Sequence, residues 1–276
     1  MKILKRLASV FLRVSISIAL LIFLFKQVDK KSLFVIIKNA DKPLLSLGFC
    51  TFFLGYVLCL LRWEMLLKAL KIHLSLKRVI ISYAGGVFFS LFLPSTIGGD
   101  LMRSIDLATH TKRPREVLAT VLLDRLSGYT GLVILALLSL VFGWQIIHDK
   151  SVLLSIAIIT AVLSVILSVL FNRFLYTKIN KFLHSPDAGK IRQLLKDLHQ
   201  ELHYFKHHKK VIVNNLFLSL LIQITSPVSF FIIALALGLK IKLIYFFIFL
   251  PLIGAITMLP ISIGGLGLRD ATTIFF

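Results

Sequence analysis

The chain has 276 residues, of which 58% are hydrophobic and only 16% are charged, and its mean hydropathy is +0.92. Soluble domains contain roughly 45–50% apolar and about 25% charged residues, so this composition excludes a soluble globular protein. The net charge of +20 does not indicate a nucleic-acid-binding face, because the basic residues lie in short segments between apolar blocks. There they act as topology signals and contact lipid headgroups. We therefore expect an all-α, polytopic membrane protein.

Five apolar blocks are long enough to cross a roughly 30 Å hydrocarbon core as helices. They cover residues 7–25, 43–61, 126–147, 152–171 and 211–237. The first block follows a basic start but lacks the small-residue cleavage site of a signal peptide. It is therefore predicted to be retained, with its N-terminus in the cytoplasm.

Two shorter apolar blocks, at 79–93 and 243–259, are interrupted or stopped by proline. If the first crossed the membrane fully, the basic segments at 103–115 and 172–210 would both lie outside, against the positive-inside rule. Both short blocks are therefore predicted to be re-entrant broken helices. The remaining segment, 26–42, carries five Lys and two Asp, falls outside in this topology, and is expected to hold an interfacial helix.

The long basic segment 172–210 has apolar residues at helical spacing, which is typical of an amphipathic helix on the anionic inner leaflet. His199, His203 and His207 share one face of that helix. Because they lie beside lysines without the supporting partners that zinc sites use, we interpret them as a solvated cationic face. We expect no metal and no cofactor.

The two short blocks end in the same pattern. Residues 94–103 read PSTIGGDLMR and residues 260–269 read PISIGGLGLR, with five of ten positions identical. Three predicted spans separate the copies, so they approach the membrane from opposite sides. This predicts an inverted-topology repeat, at about 43–147 and 211–276, of the kind that forms a midplane substrate site from broken helices.

The matched residues point to a phosphate. The glycine pairs Gly98, Gly99, Gly264 and Gly265 permit backbone turns that expose N–H groups, and the matched arginines Arg103 and Arg269 supply forked, permanently charged donors. Alternatively, the glycines only allow close helix packing and the arginines reach the headgroups from the helix ends.

Four acidic residues lie within or beside apolar segments, where an unpaired charge is costly: Asp100, Asp106, Asp124 and Asp270. Asp124 and Arg125 point to different faces of one helix, so each needs a partner on another helix. For Asp124 we expect Arg103 or Arg269, in either a structural ion pair or a role in proton or substrate transfer.

The stretch 62–78 is predicted to be cytoplasmic, with Glu64 as an interfacial anchor beside Arg62 and Trp63. Asp106 is predicted to lie in a solvated loop.

Three motifs resemble the flippase-like membrane domain of lysylphosphatidylglycerol synthases. They are Pro-x-x-x-Gly-Gly-Asp-x-x-Arg at 94–103, Leu-Asp-Arg-Leu-Ser-Gly at 123–128 and Pro-x-x-x-Gly-Gly-Leu-Gly-x-Arg-Asp at 260–270. The resemblance covers nearly the whole chain and implies an integral inner-membrane protein that moves a phospholipid or a lipid-linked sugar between leaflets. It also implies these pathway residues: Gly98, Gly99, Asp100, Arg103, Asp124, Arg125, Gly264, Gly265 and Arg269. Where the family usually has Glu after the late Arg, this chain has Asp270, which we add to the site.

The sequence thus predicts one flippase-like membrane domain whose second repeat is incomplete, because the span that follows the first motif has no counterpart before Phe276. There is no aminoacyl-transferase domain and no nucleophile constellation, so we expect no enzyme. The leading hypothesis is a translocator of an anionic phospholipid or lipid-linked sugar. The alternatives are an accessory protein that presents anionic lipid to a separate synthase or glycosyltransferase, and a small-solute transporter.

Overall fold

The computed structural model describes residues 29–91, 96–143, 208–257 and 268–275, with isolated helical positions within 15–26 and 153–165. This part of the chain is helical with short connections. Its helices are α1 (Lys30–Lys38), α2 (Lys42–Ala69), α3 (Leu76–Ser90), α4 (Thr96–Thr111), α5 (Pro114–Gly143), α6 (Lys209–Ala236), α7 (Leu243–Thr257) and α8 (Leu268–Phe275).

Among the described helices, three are long and apolar enough to cross a membrane: α2, α5 and α6. At 28, 30 and 28 residues and 1.5 Å per residue, each is about 42–45 Å long. They confirm the predicted spans at 43–61, 126–147 and 211–237 as helices of spanning length, although α2 extends to Ala69 and α5 begins already at Pro114. Only isolated helical positions of the other two predicted spans are described. Almost all of the 172–210 segment, including His199, His203 and His207, lies outside the described residues.

Helices α2 and α6 pack closely along their length through small residues. A Cβ atom on Gly48 would lie 2.7 Å from Ile233 Cγ1, and one on Gly55 would lie 2.7 Å from Thr225 Oγ1. The Ser229 hydroxyl donates to the Gly48 carbonyl oxygen at 2.8 Å. Small residues and interhelical hydrogen bonds of this kind hold helices together in lipid, where apolar contact alone gives no preference.

The helix bundle has two distinct ends. The basic end holds the connections at 70–75 and 112–113 and carries many cations: Lys68, Lys71, Lys77, Arg78, Lys112, Arg113, Arg115, Lys209 and Lys210. The opposite end holds residues 39–41 and 237–242, where the Asp41 N–H donates to the Ala236 carbonyl oxygen. Helix α1 lies next to this opposite end with Phe34, Val35 and Ile37 exposed, which confirms that the 26–42 segment contains a helix.

Helices α3 and α4 form an antiparallel hairpin, in which α3 starts at the basic end and α4 ends there. Near that end, Arg78 Nη2 donates to Asp106 Oδ1 at 2.7 Å. Asp106 also accepts from the Ser82 hydroxyl. The predicted loop is wrong, because Asp106 is a helical residue that joins the two arms of the hairpin, but its side chain is solvated as predicted, at 43% exposure. We call this pair of helices the first hairpin.

The glycine pair of the first repeat lies within helix α4, so the predicted backbone turn at Gly98 and Gly99 is wrong. A Cβ atom on Gly99 would collide with the Gly86 carbonyl oxygen of α3. Glycine is required there because the two helix backbones touch, which is the packing alternative stated above.

Helices α7 and α8 lie before and after residues 258–267, which hold most of the second copy of the motif. Helix α7 starts at the opposite end and packs through Ile248 and Leu252 on Ala136 of α5 and on Ile156. Pro251 lies inside α7, and α8 packs against α7. The predicted turn at Gly264 and Gly265 lies outside the described residues.

Candidate functional site

Five charged side chains converge inside the bundle from three helices: Arg62, Asp100, Arg103, Asp124 and Arg125. Three of them, Arg62, Arg103 and Asp124, are only 5%, 4% and 4% exposed. Burying a charge costs several kcal/mol unless partners compensate it, and inside a membrane protein such residues mark functional sites.

Asp124 is the centre of this cluster. Its Oδ1 accepts from Arg62 Nε at 2.8 Å, and its Oδ2 accepts from Arg103 Nη2 at 2.8 Å. The structure thus confirms Arg103 as a partner of Asp124 and adds Arg62 as a second. Because one carboxylate holds two guanidinium groups, Asp124 ties α2 and α4 to α5.

A second ion pair lies beside the first. Arg125 Nε donates to Asp100, and Asp100 also pairs with Arg103 Nη2 at 3.0 Å. As predicted, the neighbours Asp124 and Arg125 find different partners on another helix. Acid and base therefore alternate between α4 and α5, and this pattern fixes the register of the two helices.

The guanidinium group of Arg103 has aromatic rings over it, but two of its N–H donors have no hydrogen-bond acceptor. Its guanidinium carbon lies 4.7 Å from the Trp63 ring centre and 5.4 Å from the Tyr83 ring centre. These distances are in the range of cation–π contacts. Its Nε and Nη1 atoms are buried and have no hydrogen-bond acceptor. An unsatisfied buried donor costs about 1–3 kcal/mol, so each of these two N–H groups is destabilising without an acceptor.

Arg62 is the site residue that sequence reasoning missed, since it was assigned to a cytoplasmic segment. For Arg62 this placement is wrong, because α2 continues without interruption to Ala69 and Arg62 is buried in the bundle. Its Nη1 donates to the Ser219 hydroxyl at 2.8 Å, and the neighbouring Trp63 Nε1 donates to Thr120 Oγ1 at 3.2 Å. The signal for this site was present in the polar residues within the predicted span 211–237, among them Ser219 and Gln223.

A cavity of about 200 Å³ opens beside the ion pairs. The five charged residues line it together with Tyr83, Ser90, Gly99, Tyr129 and Gln223. Gln223 Nε2 donates to the Gly128 carbonyl oxygen at 2.9 Å, which leaves its side-chain oxygen available as an acceptor. The lining therefore combines charged side chains with neutral polar ones.

An apolar core lies between the ion pairs and the basic end. It is built from fully buried side chains of α2, α4 and α5, among them Trp63, Leu66, Leu107 and Val117. The cavity residues Ser90, Tyr129 and Ile222, in contrast, lie on the other side of the ion pairs, toward the tip of the first hairpin. The cavity is therefore closed toward the basic end.

The second copy of the motif contributes differently. Arg269 and Asp270 are exposed, and the guanidinium carbon of Arg269 lies 5.5 Å from the Phe230 ring centre. In the part of the chain that the structure describes, the cavity lining includes Asp100 and Arg103 but neither Arg269 nor Asp270. Gly264 and Gly265 fall outside that part.

The family description lysylphosphatidylglycerol synthase TM region matches residues 10–276. The chain belongs to this family. Neither a curated protein nor a solved structure matches the sequence. Membership in the lysylphosphatidylglycerol synthase TM-region family confirms the resemblance of the three motifs and makes this a membrane protein related to lipid handling.

In this member of the lysylphosphatidylglycerol synthase TM-region family, two of the three motifs meet at the cavity. The 94–103 motif supplies Asp100 and Arg103, and the 123–128 motif supplies Asp124, Arg125 and Gly128. This arrangement is chemically suited to an anion, because it offers arginine donors in a low-dielectric interior, where charge-assisted hydrogen bonds are strong.

Proposed function

We propose that this protein is a lipid translocator of the inner (plasma) membrane, which moves an anionic phospholipid or lipid-linked sugar between leaflets without changing it chemically. The observation that carries the proposal is the pair of buried, unsatisfied Arg103 donors beside a charged cavity inside a bundle of long apolar helices. The headgroup would occupy the cavity while the acyl chains remain in lipid.

The depth of the cluster supports this assignment. Asp124 lies ten residues along α5 from Pro114, which is about 15 Å from the basic end of the helix and about 29 Å from its other end. An arginine that only anchors the protein to headgroups would lie at a helix end. Arg103 and Arg62 instead lie inside the helix bundle, where both pair with Asp124.

The two short helices support a re-entrant, inverted arrangement. Helices α3 and α7 have 15 residues each, about 22 Å, which is shorter than the roughly 30 Å core. One starts at the basic end and the other at the opposite end. By the positive-inside rule the basic end faces the cytoplasm. A headgroup then reaches the cavity from the opposite side, and transfer requires that the apolar core around Trp63 opens.

The test is leaflet exchange of fluorescent phosphatidylglycerol in proteoliposomes. We expect the protein to accelerate exchange over protein-free vesicles, and Arg103→Gln to slow it by about tenfold to a hundredfold, since a hydrogen bond to a charged group contributes about 1.5–3 kcal/mol. The matched control is Arg113→Gln, because Arg113 forms a surface pair with Glu116 at the basic end. It should leave the rate unchanged.

The same assay separates the rival functions. Lipid binding without exchange, in a protein that copurifies with a synthase or glycosyltransferase, would replace translocation by lipid presentation. If Arg103→Gln and Arg113→Gln slowed leaflet exchange equally, the cavity would not lie on the pathway of the lipid. Uptake of a small solute that does not depend on anionic lipid would contradict a lipid substrate.

A further inference from the structure

We infer that residues 29–42 and 237–243 form one surface at the opposite end of the bundle, which lies in the membrane interface and binds anionic lipid headgroups. The first stretch holds helix α1, and the second connects α6 to α7. We call it the lysine-rich surface. None of its residues is among the described residues that line the charged cavity, and lipid binding at this surface does not depend on translocation.

A backbone hydrogen bond joins the two stretches. The Asp41 N–H donates to the carbonyl oxygen of Ala236, the last residue of α6, at 2.9 Å. The Asp41 carboxylate accepts from the Leu44 N–H at 3.0 Å and so caps the start of α2. Because the 237–243 stretch begins directly after Ala236, the two stretches meet where α2 begins and α6 ends.

Helix α1 is held at the depth where α2 begins to face lipid. Four consecutive apolar residues of α1, at positions 34–37, are 43–69% exposed. Only residues 39–41 connect α1 to α2, and three residues span at most about 10 Å. Just after them, α2 exposes Leu45, Leu47 and Phe49. Since neighbouring exposed apolar side chains are unfavourable in water, lipid is the partner that fits α1 at this depth.

The 237–243 stretch has the same chemistry as α1. Its exposed apolar residues are Leu239, Ile241 and Leu243, and they alternate with Lys240 and Lys242. Interfacial segments have this composition, because apolar side chains enter the acyl boundary while lysine stems extend the amines to the headgroups. Two stretches that are distant in sequence thus show the same pattern at the same end of the bundle.

The surface carries an excess of positive charge. It holds six lysines and two aspartates: Lys30, Lys31, Lys38, Lys42, Lys240, Lys242, Asp29 and Asp41. By the positive-inside rule, lysines of short connections collect on the cytoplasmic side, which is the other end of this bundle. Their number at this end therefore has another cause. Attraction to anionic headgroups supplies it, since basic residues beside an apolar interfacial segment bind anionic lipid.

Lipid at α1 can be detected by a tryptophan placed there. The chain has two tryptophans. Trp144→Phe removes one, and Trp63 is fully buried and gives a constant background. In that protein Phe34→Trp is the reporter, and Phe53→Trp, about 16 Å along α2 from its start, is the control reporter. Both are reconstituted in phosphatidylcholine vesicles with a minor fraction of phosphatidylglycerol, and one of the two lipids carries bromine on its acyl chains, which quenches nearby tryptophan.

We expect brominated phosphatidylglycerol to quench the reporter at position 34 about threefold to tenfold more than its share of the bilayer predicts. At position 53 it should quench in proportion to that share. A higher salt concentration should reduce the enrichment at position 34, because salt screens exposed charges. This salt series needs no lysine variant.

Lysine variants identify the cause of the enrichment. The test variant replaces three exposed lysines of the surface: Lys38→Gln, Lys42→Gln and Lys240→Gln. The matched control replaces three exposed lysines of the basic end: Lys77→Gln, Lys112→Gln and Lys209→Gln. The test variant should lose the enrichment of phosphatidylglycerol at position 34 and keep its quenching by brominated phosphatidylcholine. The control variant should keep both.

Three results would overturn the inference. Absence of quenching at position 34 by either lipid would show that protein covers α1. Quenching by both lipids in proportion to their shares would show a surface that lies in lipid without selecting anionic headgroups. An equal loss of enrichment in the two triple variants would assign the enrichment to the overall charge of the protein.

One consequence of this surface rests on the proposed function. A headgroup is proposed to reach the cavity from this end, so the lysine-rich surface gathers anionic lipid on the side of entry. Leaflet exchange in the same vesicles separates the two proposals. Enrichment at position 34 without exchange would overturn translocation alone, whereas exchange without enrichment would overturn the lysine-rich surface alone.

Discussion

The two copies of the repeated motif are identical at five of ten positions, but their arginines have different surroundings. In the first hairpin, Arg103 is buried among Trp63, Tyr83 and two carboxylates. In the second repeat, the equivalent Arg269 is exposed and lies over Phe230. The repeated pattern of Pro, Gly and Arg thus places an arginine on a helix without determining what that arginine contacts.

The difference comes from the neighbouring residues. Three positions before Arg103 the chain has Asp100, while three positions before Arg269 it has Leu266. Helix α5 also brings Asp124 to Arg103, and Asp124 in turn holds Arg62. Two acids, Asp100 on α4 itself and Asp124 on α5, therefore turn one copy of the motif into a buried charged site.

The largest expected effect is a loss of folding stability, and it distinguishes Asp124, beside the first hairpin, from Asp270 in the second copy of the motif. Asp124→Ala leaves Arg62 and Arg103 buried without their shared carboxylate, and breaking a buried ion pair costs about 3–5 kcal/mol. Asp270→Ala removes an exposed acid and should change the free energy of unfolding by less than about 0.5 kcal/mol. The measurement is unfolding by SDS titration in mixed micelles. Similar losses in both variants would show that the two copies are equivalent.

An intermediate effect is expected at the glycines of the two regions. Gly99→Ala places a Cβ atom against the Gly86 carbonyl oxygen and should destabilise the fold by about 1–3 kcal/mol through overpacking. Gly254→Ala in α7 meets only Leu132 Cδ1 at 3.8 Å, so it should be neutral or stabilise by up to about 1 kcal/mol. The same SDS titration measures both, and a tolerated Gly99→Ala would show that the two backbones can separate freely.

The smallest effect is expected at the ring beneath Arg269. Phe230→Leu keeps an apolar side chain but removes the cation–π partner, so we expect a loss of about 0.5–1 kcal/mol and unchanged lipid exchange. A double-mutant cycle with Arg269→Gln isolates the pair. A coupling energy as large as that between Arg103 and Asp124 would mean that Arg269 also belongs to a buried site.

Hydropathy and charge were sufficient to predict the three spanning helices and the helix before α2. They were sufficient because long apolar stretches report burial in lipid directly. Hydropathy also misplaced Arg62, because a charged residue just after an apolar block looks like a loop residue. No glycine or proline, however, ends the helix before Ala69. The intact Glu64–Lys68 pair at i,i+4 spacing was a sign that the helix continues.

The site could be predicted in part from the motifs. The pairing of Arg103 with Asp124 followed from the cost of isolated charges in apolar segments, and the structure confirms it. The glycine pair was misinterpreted as a turn, because a helical glycine and a turn glycine look alike in one sequence. The contact between Gly99 and Gly86 depends on two helices meeting, which no local pattern encodes.

The central claim is that an anionic headgroup binds at Arg103 in the first hairpin. It is tested most directly by cross-linking the protein in nanodiscs to a phosphatidylglycerol with a photoreactive headgroup and mapping the modified peptides. The account predicts modification of cavity residues such as Tyr83 and Tyr129, and its loss in Arg103→Gln. Modification concentrated around Phe230 and Arg269, and unaffected by Arg103→Gln, would contradict it.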